Sequence, residues 1–392
     1  MARIVVFAFD LTEAAQIRRI ASLIRLGHDV TSISFRRRNM NAGFRPDWPN
    51  LDLGEMPNHK FGARILRLLA ALPRILRHGR ALRDADVVIA RNFDLLTLAW
   101  LSRSLSPGSS ARLVYECLDI HGLFTGGGAV ARVMRFLERR LLSRIDLLWT
   151  SSPGFVRCYF QAVQGYDGPC AILENKLWFD GPPPARPAIK DRIAGSAPFT
   201  LGWVGSIRCT ATLDLLAETA RMLGPRIRIV VRGSIHRHAV PDFDDVVARH
   251  DNITYGGAYE YPHGLAEVYL GCDAVWAQDL WQRGANSDWL LPNRIYEASW
   301  FGCPSIAVAD TETGRRVASD DLGFVIAEPT AEALAQLLGD HDRAAFRAVS
   351  ERILAMPDTA FRLDPADVAA ALRPVLGGPD RSDSPSSSRA RA

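Results

Sequence analysis

Glu297 sits in a run whose other members, Ile295, Tyr296, Ala298 and Trp300, are apolar or aromatic. A carboxylate there either faces water as an ordinary surface glutamate or accepts hydrogen bonds from the paired hydroxyls of a ligand. Glu116, Asp119 and His121 lie within six residues at the end of another apolar run. An imidazole beside two carboxylates can orient a hydroxyl or move a proton. The same residues also suit a polar loop that caps a helix. Gly205-Ser206-Ile207-Arg208 reads as a turn after a strand, with a cation at its end. Asp84-Ala85-Asp86, Asp242-Phe243-Asp244 and His236-x-His238 have metal-ligand residue types but lack the further ligands and setting of a metal site.

These residues need elements to hold them. Residues 4–9 are a continuous apolar run, as in a central parallel strand. A helix with the stripe Ala14, Ile17, Ala21 and Ile24 follows, ends at Gly27, and leads to a strand at 30–35. This is a βαβ unit without G-x-G-x-x-G, so a dinucleotide fingerprint is absent. Further strands are predicted at 86–90, 112–117, 147–151 and 171–173. The stretch 180–198, with its run of prolines, has the composition of a linker. A second alternation follows, with strands at 201–204, 227–231, 253–256, 274–277, 305–309 and 323–326. Pro292 suits the first turn of the helix that carries Glu297. Parallel sheets of this kind bind ligands beyond the carboxyl ends of their strands. The expected division is 1–179, a linker 180–198, 199–356, a helix at 357–376, and a disordered polar tail 377–392.

At 392 residues and 48% hydrophobic content the chain can bury two cores. Its charge is uneven. Residues 1–180 hold 25 Lys and Arg against 16 Asp and Glu, a net of +9, whereas the remainder holds 22 against 27, a net of −5. A basic first half suggests an anionic partner: a membrane surface, or a phosphorylated or acidic substrate. Nucleic acid is disfavoured, since no recognisable module or aromatic–basic interleaving is present. The stretch 61–83 alternates leucines and isoleucines with six arginines and is interrupted by Pro73. It is either a helix pair covering the sheet or a surface lying on an anionic bilayer. A second basic helix is predicted over 130–145, with Val133, Met134, Phe136, Leu137, Leu141 and Leu142 facing inward. Six scattered cysteines show no disulfide or zinc spacing, which points to a reducing cytoplasm. No apolar run approaches the roughly 18 residues of a spanning helix, so a cytoplasmic protein, soluble or peripheral at a membrane, is expected.

The run of loop, Glu297, Ala298, Gly302, Pro304 and strand resembles the donor-site signature of GT-B glycosyltransferases, especially family four. The resemblance implies two Rossmann-like, doubly wound α/β domains facing one cleft, with the helix at 357–376 returning to the first domain. It assigns the ribose of a nucleotide sugar to Glu297. The first glutamate of the family's pair should stand eight residues earlier, where this chain has Trp289, with Asp288 adjacent. The family's arginine after the first strand of the second domain matches Arg208, but the lysine five residues on is Leu213. For the diphosphate, Gly205 and Ser206 offer close backbone approach, and Arg232 or Arg294 could replace the missing charge. Residues 290–293, Asn293 included, could turn amides toward it, and Gly256 to Tyr259 fall where the family frames the base.

The implied reaction needs no cofactor and no metal: protein groups, Arg208 first, stabilise the leaving diphosphate while Asp119 or His121 positions an acceptor hydroxyl. Family four implies retention at the anomeric carbon. Tyr115-Glu116-Cys117-x-Asp119-Ile120-His121, Ala90-Arg91-Asn92-x-Asp94 and residues 289–294 look like bacterial exopolysaccharide glycosyltransferases of the succinoglycan-biosynthesis type. That likeness implies a hexose moved from a nucleotide sugar, taken as a UDP-sugar, to a saccharide on a polyprenyl diphosphate at the inner leaflet. Two rivals remain at this point: a nucleotide-sugar epimerase of the same architecture, and a non-catalytic nucleotide-sugar-binding partner, which Trp289 and Leu213 would favour.

Overall fold

A computed structural model describes residues 1–37, 44–56, 61–179, 181–189 and 198–377. All but Gly377 of the expected tail at 377–392, and most of the second half of the linker, lie outside the described residues. The first sheet has seven strands: β1 (Arg3–Ala8), β2 (Asp29–Arg36), β3 (Asn50–Glu55), β4 (Val87–Arg91), β5 (Arg112–Cys117), β6 (Leu147–Thr150) and β7 (Cys170–Ile172), in the order β3-β2-β1-β4-β5-β6-β7. The second has six: β8 (Phe199–Ile207), β9 (Ile227–Ile235), β10 (Ile253–Tyr255), β11 (Ala274–Trp276), β12 (Ser305–Val308) and β13 (Gly323–Ile326), in the order β10-β9-β8-β11-β12-β13. Every pairing is parallel. Each order reverses once, between β1 and β4 and between β8 and β11. Such switch points open a crevice at the carboxyl edge.

Burial explains the central strands. Ile4, Val5, Val6 and Phe7 of β1 are nearly inaccessible because helices cover both faces. The last helix, Pro365–Leu376, packs Val368, Leu372 and Val375 into the core of the first sheet, and the Trp149 indole donates to the Ala371 carbonyl at 2.9 Å.

Four features depart from the sequence expectation. β3 was not anticipated: its Asn-Leu-Asp-Leu-Gly-Glu is half exposed, and an edge strand with one partner carries little apolar signal. Gly205 and Ser206 form no turn, because β8 and β9 stay paired as far as Ile207 and Ile235. Gly233 makes that possible: its φ is +132°, and a Cβ there would stand 1.9 Å from the Gly205 carbonyl oxygen. Pro73 does not divide its helix, which runs through Phe61–Arg77. Pro73 is exposed, so water can take the carbonyl it leaves unpaired. Finally, Val133, Phe136 and Leu137 of helix Ala129–Leu142 do not face inward but are 56%, 51% and 44% exposed.

Candidate active site

Three strand ends converge. Asp119 and His121 follow β5, Arg208 follows β8, and Asp279 and Trp281 follow β11. Arg208 and Asp279 thus flank the switch point of the second sheet. The Arg208 guanidinium lies 4.4 Å above the Trp281 ring and contacts Asp279 Oδ2 at 3.4 Å. Asp279 is itself fixed, its Oδ1 accepting from the Trp281 amide at 2.7 Å and the Ser287 hydroxyl at 3.1 Å. One long contact uses little of a five-donor guanidinium, and the Arg208 side chain remains 35% exposed.

Asn286 bridges the two sheets. Its Oδ1 accepts from the Ile120 amide at 2.7 Å and its Nδ2 donates to Asp119 Oδ1 at 3.2 Å. Asp119 reaches water, but the surrounding walls raise its carboxyl pKa by desolvation, opposed by the Asn286 hydrogen bond and the Arg208 charge. His121 caps the short helix Gly122–Thr125, Nδ1 accepting from the Leu123 amide at 3.2 Å. Asp119, His121, Arg208, Trp281 and Asn286 share the wall of one cavity of about 840 Å³, which continues into the first domain.

Glu297 lies in a second cluster. It is 7% exposed, and its Oε2 accepts from the Tyr269 hydroxyl at 2.7 Å. Burial raises its pKa; the hydrogen bond, Arg18 and Arg294 act against that. Tyr261, whose hydroxyl accepts from Arg18 of the first domain at 3.1 Å, belongs to the same cluster. Arg294 lies against Gly205, where a Cβ would come within 3.9 Å of its Nη2. Arg232 is paired with Glu267 at 2.9 Å and fills the space beside Gly256. Ser206 Oγ meets His236 Nε2 at 2.9 Å. Asn293 is exposed at the start of helix Asn293–Trp300, and Pro292 stands just before that helix rather than in its first turn.

A family model described as a glycosyl transferase 4-like domain matches residues 15–175. The succinoglycan biosynthesis protein ExoL of Rhizobium meliloti (strain 1021) is 35% identical over 375 residues, which cover 95% of this chain and 93% of that protein. This chain belongs to the GT-B glycosyltransferases, family-four-like. Its fold agrees. The sucrose-phosphate synthase of Thermosynechococcus elongatus superposes with a TM-score of 0.69 at 12% identity, over 94% of this chain and 97% of that one. Anabaena HepE in complex with UDP-glucose gives 0.62 at 14% identity, over 95% and 98%.

The glycosyltransferase departs from the sequence reading at Glu116. Glu116 is not beside Asp119 and His121 in the cleft. It is 1% exposed between Arg19 at 2.7 Å and Arg91 at 2.9 Å, because it lies near the end of β5 with its side chain under helix Ala14–Arg25. Trp289 is turned to the first domain, where it stacks on Tyr159 with ring centroids 6.3 Å apart and its carbonyl accepts from the Ser152 hydroxyl. Leu213 is buried in the second core. Asp279 and Asn286 were missed, although Asp279 follows a predicted strand and stands where the switch-point rule directs attention. The acidic pairs are occupied otherwise: Asp86 accepts from the Arg3 amide at 2.7 Å, and Asp244 pairs with Arg237.

Proposed function

We propose that the enzyme transfers a hexosyl group from a nucleotide sugar to a lipid-linked saccharide in exopolysaccharide assembly, at the cytoplasmic face of a membrane. One observation carries this reading: Asp119 and His121 of one sheet and Arg208 of the other line a single cavity. The bond from the anomeric carbon to the diphosphate breaks, and the acceptor oxygen bonds to that carbon. Arg208 stabilises the charge that develops on the diphosphate, an electrostatic role that asks for no metal. Asp119, with its raised pKa, and His121 hold the acceptor hydroxyl, whose proton leaves with the diphosphate. Configuration at the anomeric carbon is retained. Glu297 has one oxygen on Tyr269 and offers the other to a ribose hydroxyl, with Gly205, Ser206, Asn293, Arg294 and Arg232 around the nucleotide. ExoL, by its name, acts in succinoglycan biosynthesis, and HepE was solved with UDP-glucose; both agree with a UDP-sugar and a polysaccharide product. No described helix is long and apolar enough to cross a membrane, and the net charge of the first half suits an anionic leaflet instead.

A panel of UDP-, GDP- and dTDP-sugars tests the donor. One nucleotide should raise the melting temperature selectively. Glu297→Gln should weaken that binding by about 10- to 100-fold, the worth of a hydrogen bond to a charged group. Arg208→Ala should lower kcat by about 10²–10³ in an assay that follows nucleotide release with a lipid-linked acceptor. Equal stabilisation of wild type and Glu297→Gln would remove Glu297 from the donor site. Nucleotide release indifferent to acceptor would remove the transferase reading.

A further inference from the structure

The cavity of about 840 Å³ does not stop at the polar cleft. It descends between helix Asn92–Ser104 and helix Ala129–Leu142, beneath helix Phe61–Arg77. Both flanking helices run back from the cleft edge of the sheet, so residues late in them line the far end. Leu72, Leu98, Leu101, Met134 and Leu141 make its wall apolar, and Arg140 and Arg144 mark its distal end. The volume falls within the range of about 300–1,000 Å³ typical of small-ligand sites. Glu138 is the buried acid in the wall, and it is satisfied by the hydroxyls of Tyr115 and Tyr159 and the Gln164 amide.

The outer wall leads to an apolar surface. Leu69 and Leu137 line the cavity yet are 55% and 44% exposed. One helical turn from them, Leu66 and Val133 are 68% and 56% exposed, and Phe136 is 51% exposed. Arg67, Arg74, Arg132 and Arg140 are exposed on the same two helices. The surface therefore offers hydrocarbon framed by cations, and the cavity connects it to Arg208 and Asp119.

We infer that this cavity takes the proximal isoprenoid units of the acceptor lipid, entering between Leu69 and Leu137 and placing the diphosphate and its saccharide at the cleft. The inference rests on the lipid-linked acceptor proposed above. A cavity of this size holds only part of a long tail, and the remainder stays in the bilayer against the exposed leucines and valine. Branched isoprenoid units fill a wide, leucine-lined space that a straight alkyl chain would leave partly empty, forfeiting contacts.

The test uses one saccharide diphosphate on geranyl, farnesyl and dodecyl tails, below their micelle concentrations and without membranes. The readout is the ratio of kcat/KM between tails, so that any loss common to all acceptors cancels. Farnesyl should exceed geranyl by about 10- to 100-fold, from one more buried branched isoprenoid unit, and should exceed dodecyl. Met134→Trp and Leu72→Trp, two independent ways of filling the cavity, should reduce the farnesyl-to-geranyl ratio to near one. A farnesyl advantage that persists in both folded variants, or a dodecyl acceptor equal to farnesyl, overturns the inference. Turnover of all three at one rate overturns it while leaving the transferase reading intact. Turnover of none, with donor binding preserved, overturns both.

Discussion

Glu116 shows how far a neighbourhood can move a carboxylate. Burial alone would raise its pKa, but Arg91 and Arg19 outweigh desolvation and lower it to about 2. Two guanidiniums around one carboxylate form a triad whose partners depend on each other. Among the described residues, Arg19 Nη1 and Arg91 Nη1 have no hydrogen-bond partner, and the nearest Glu13 oxygen lies 3.7 Å from the latter. Glu116→Gln should therefore destabilise the fold by about 3–5 kcal/mol at pH 7, measured by urea unfolding. The pH dependence has a definite sign. A carboxylate with a depressed folded pKa stabilises above its unfolded value, near 4.5, and loses that contribution as pH falls toward 2. The gap between wild type and Glu116→Gln should narrow across that window; a gap constant with pH would show that the charge is not what matters. Arg91 was visible in the sequence as part of a turn, but its burial depends on helix Ala14–Arg25 lying over the strand ends, which no local pattern encodes.

Helix Ala129–Leu142 makes the corresponding point for elements. Its apolar residues recur at helical spacing, and that periodicity predicts an amphipathic helix correctly. Periodicity cannot say what covers the apolar face. Ala131, Leu141 and Leu142 pack on the sheet, whereas Val130, Val133 and Phe136 do not. Exposed apolar side chains flanked by arginines suit a leaflet better than bulk water. Val133→Glu with Phe136→Glu should weaken co-sedimentation with anionic vesicles several-fold and leave the melting temperature nearly unchanged, since neither side chain is in a core. Undiminished sedimentation would show that Val133 and Phe136 make no contact with such a surface. The stretch Val156–Gln161 forms a π-helical turn. There Tyr159 faces both Glu138 and Trp289, a placement common for such turns near functional sites.

The whole molecule is held by contacts between its two sheets' domains. Residues 286–291 reach from the second domain into the first, where Leu290 joins its core cluster. Glu174 accepts from Tyr296 at 2.9 Å and pairs with Arg316, and Arg157 pairs with Glu312 at 2.6 Å. Gly154 is a tight point of this joint: a Cβ there would stand 2.3 Å from the Trp289 carbonyl oxygen, and backbone cannot yield as a flexible side chain can. Gly154→Ala should cost about 1–3 kcal/mol, lower the melting temperature by several degrees, and raise KM for donor and acceptor together, because the cleft is built from both sides of this joint. An alanine variant as stable and active as wild type would mean that the domains adjust at no cost. Trp289 thus has a physical role at the place where the family has a glutamate. Its ring stacks on Tyr159 and packs against the core of the first domain.

The sequence by itself determined the succession of strands and helices, the two sheets, and the segments after β5, β8 and before β12 where polar residues accumulate. These follow from apolar runs, helical spacing and turn residues, all local in the chain. Asp119, His121, Arg208 and Glu297 were legible because each interrupts such a pattern at a strand end or in an apolar helix. Tertiary structure alone decided which of them share a cavity. It withdrew Glu116 behind two arginines, stacked Trp289 on Tyr159 of the first domain and brought Asp279 and Asn286 to Arg208 and Asp119. Asn286 meets Asp119 across 167 positions of chain, and contacts of that range are set by how whole elements pack, which no short window of residues contains.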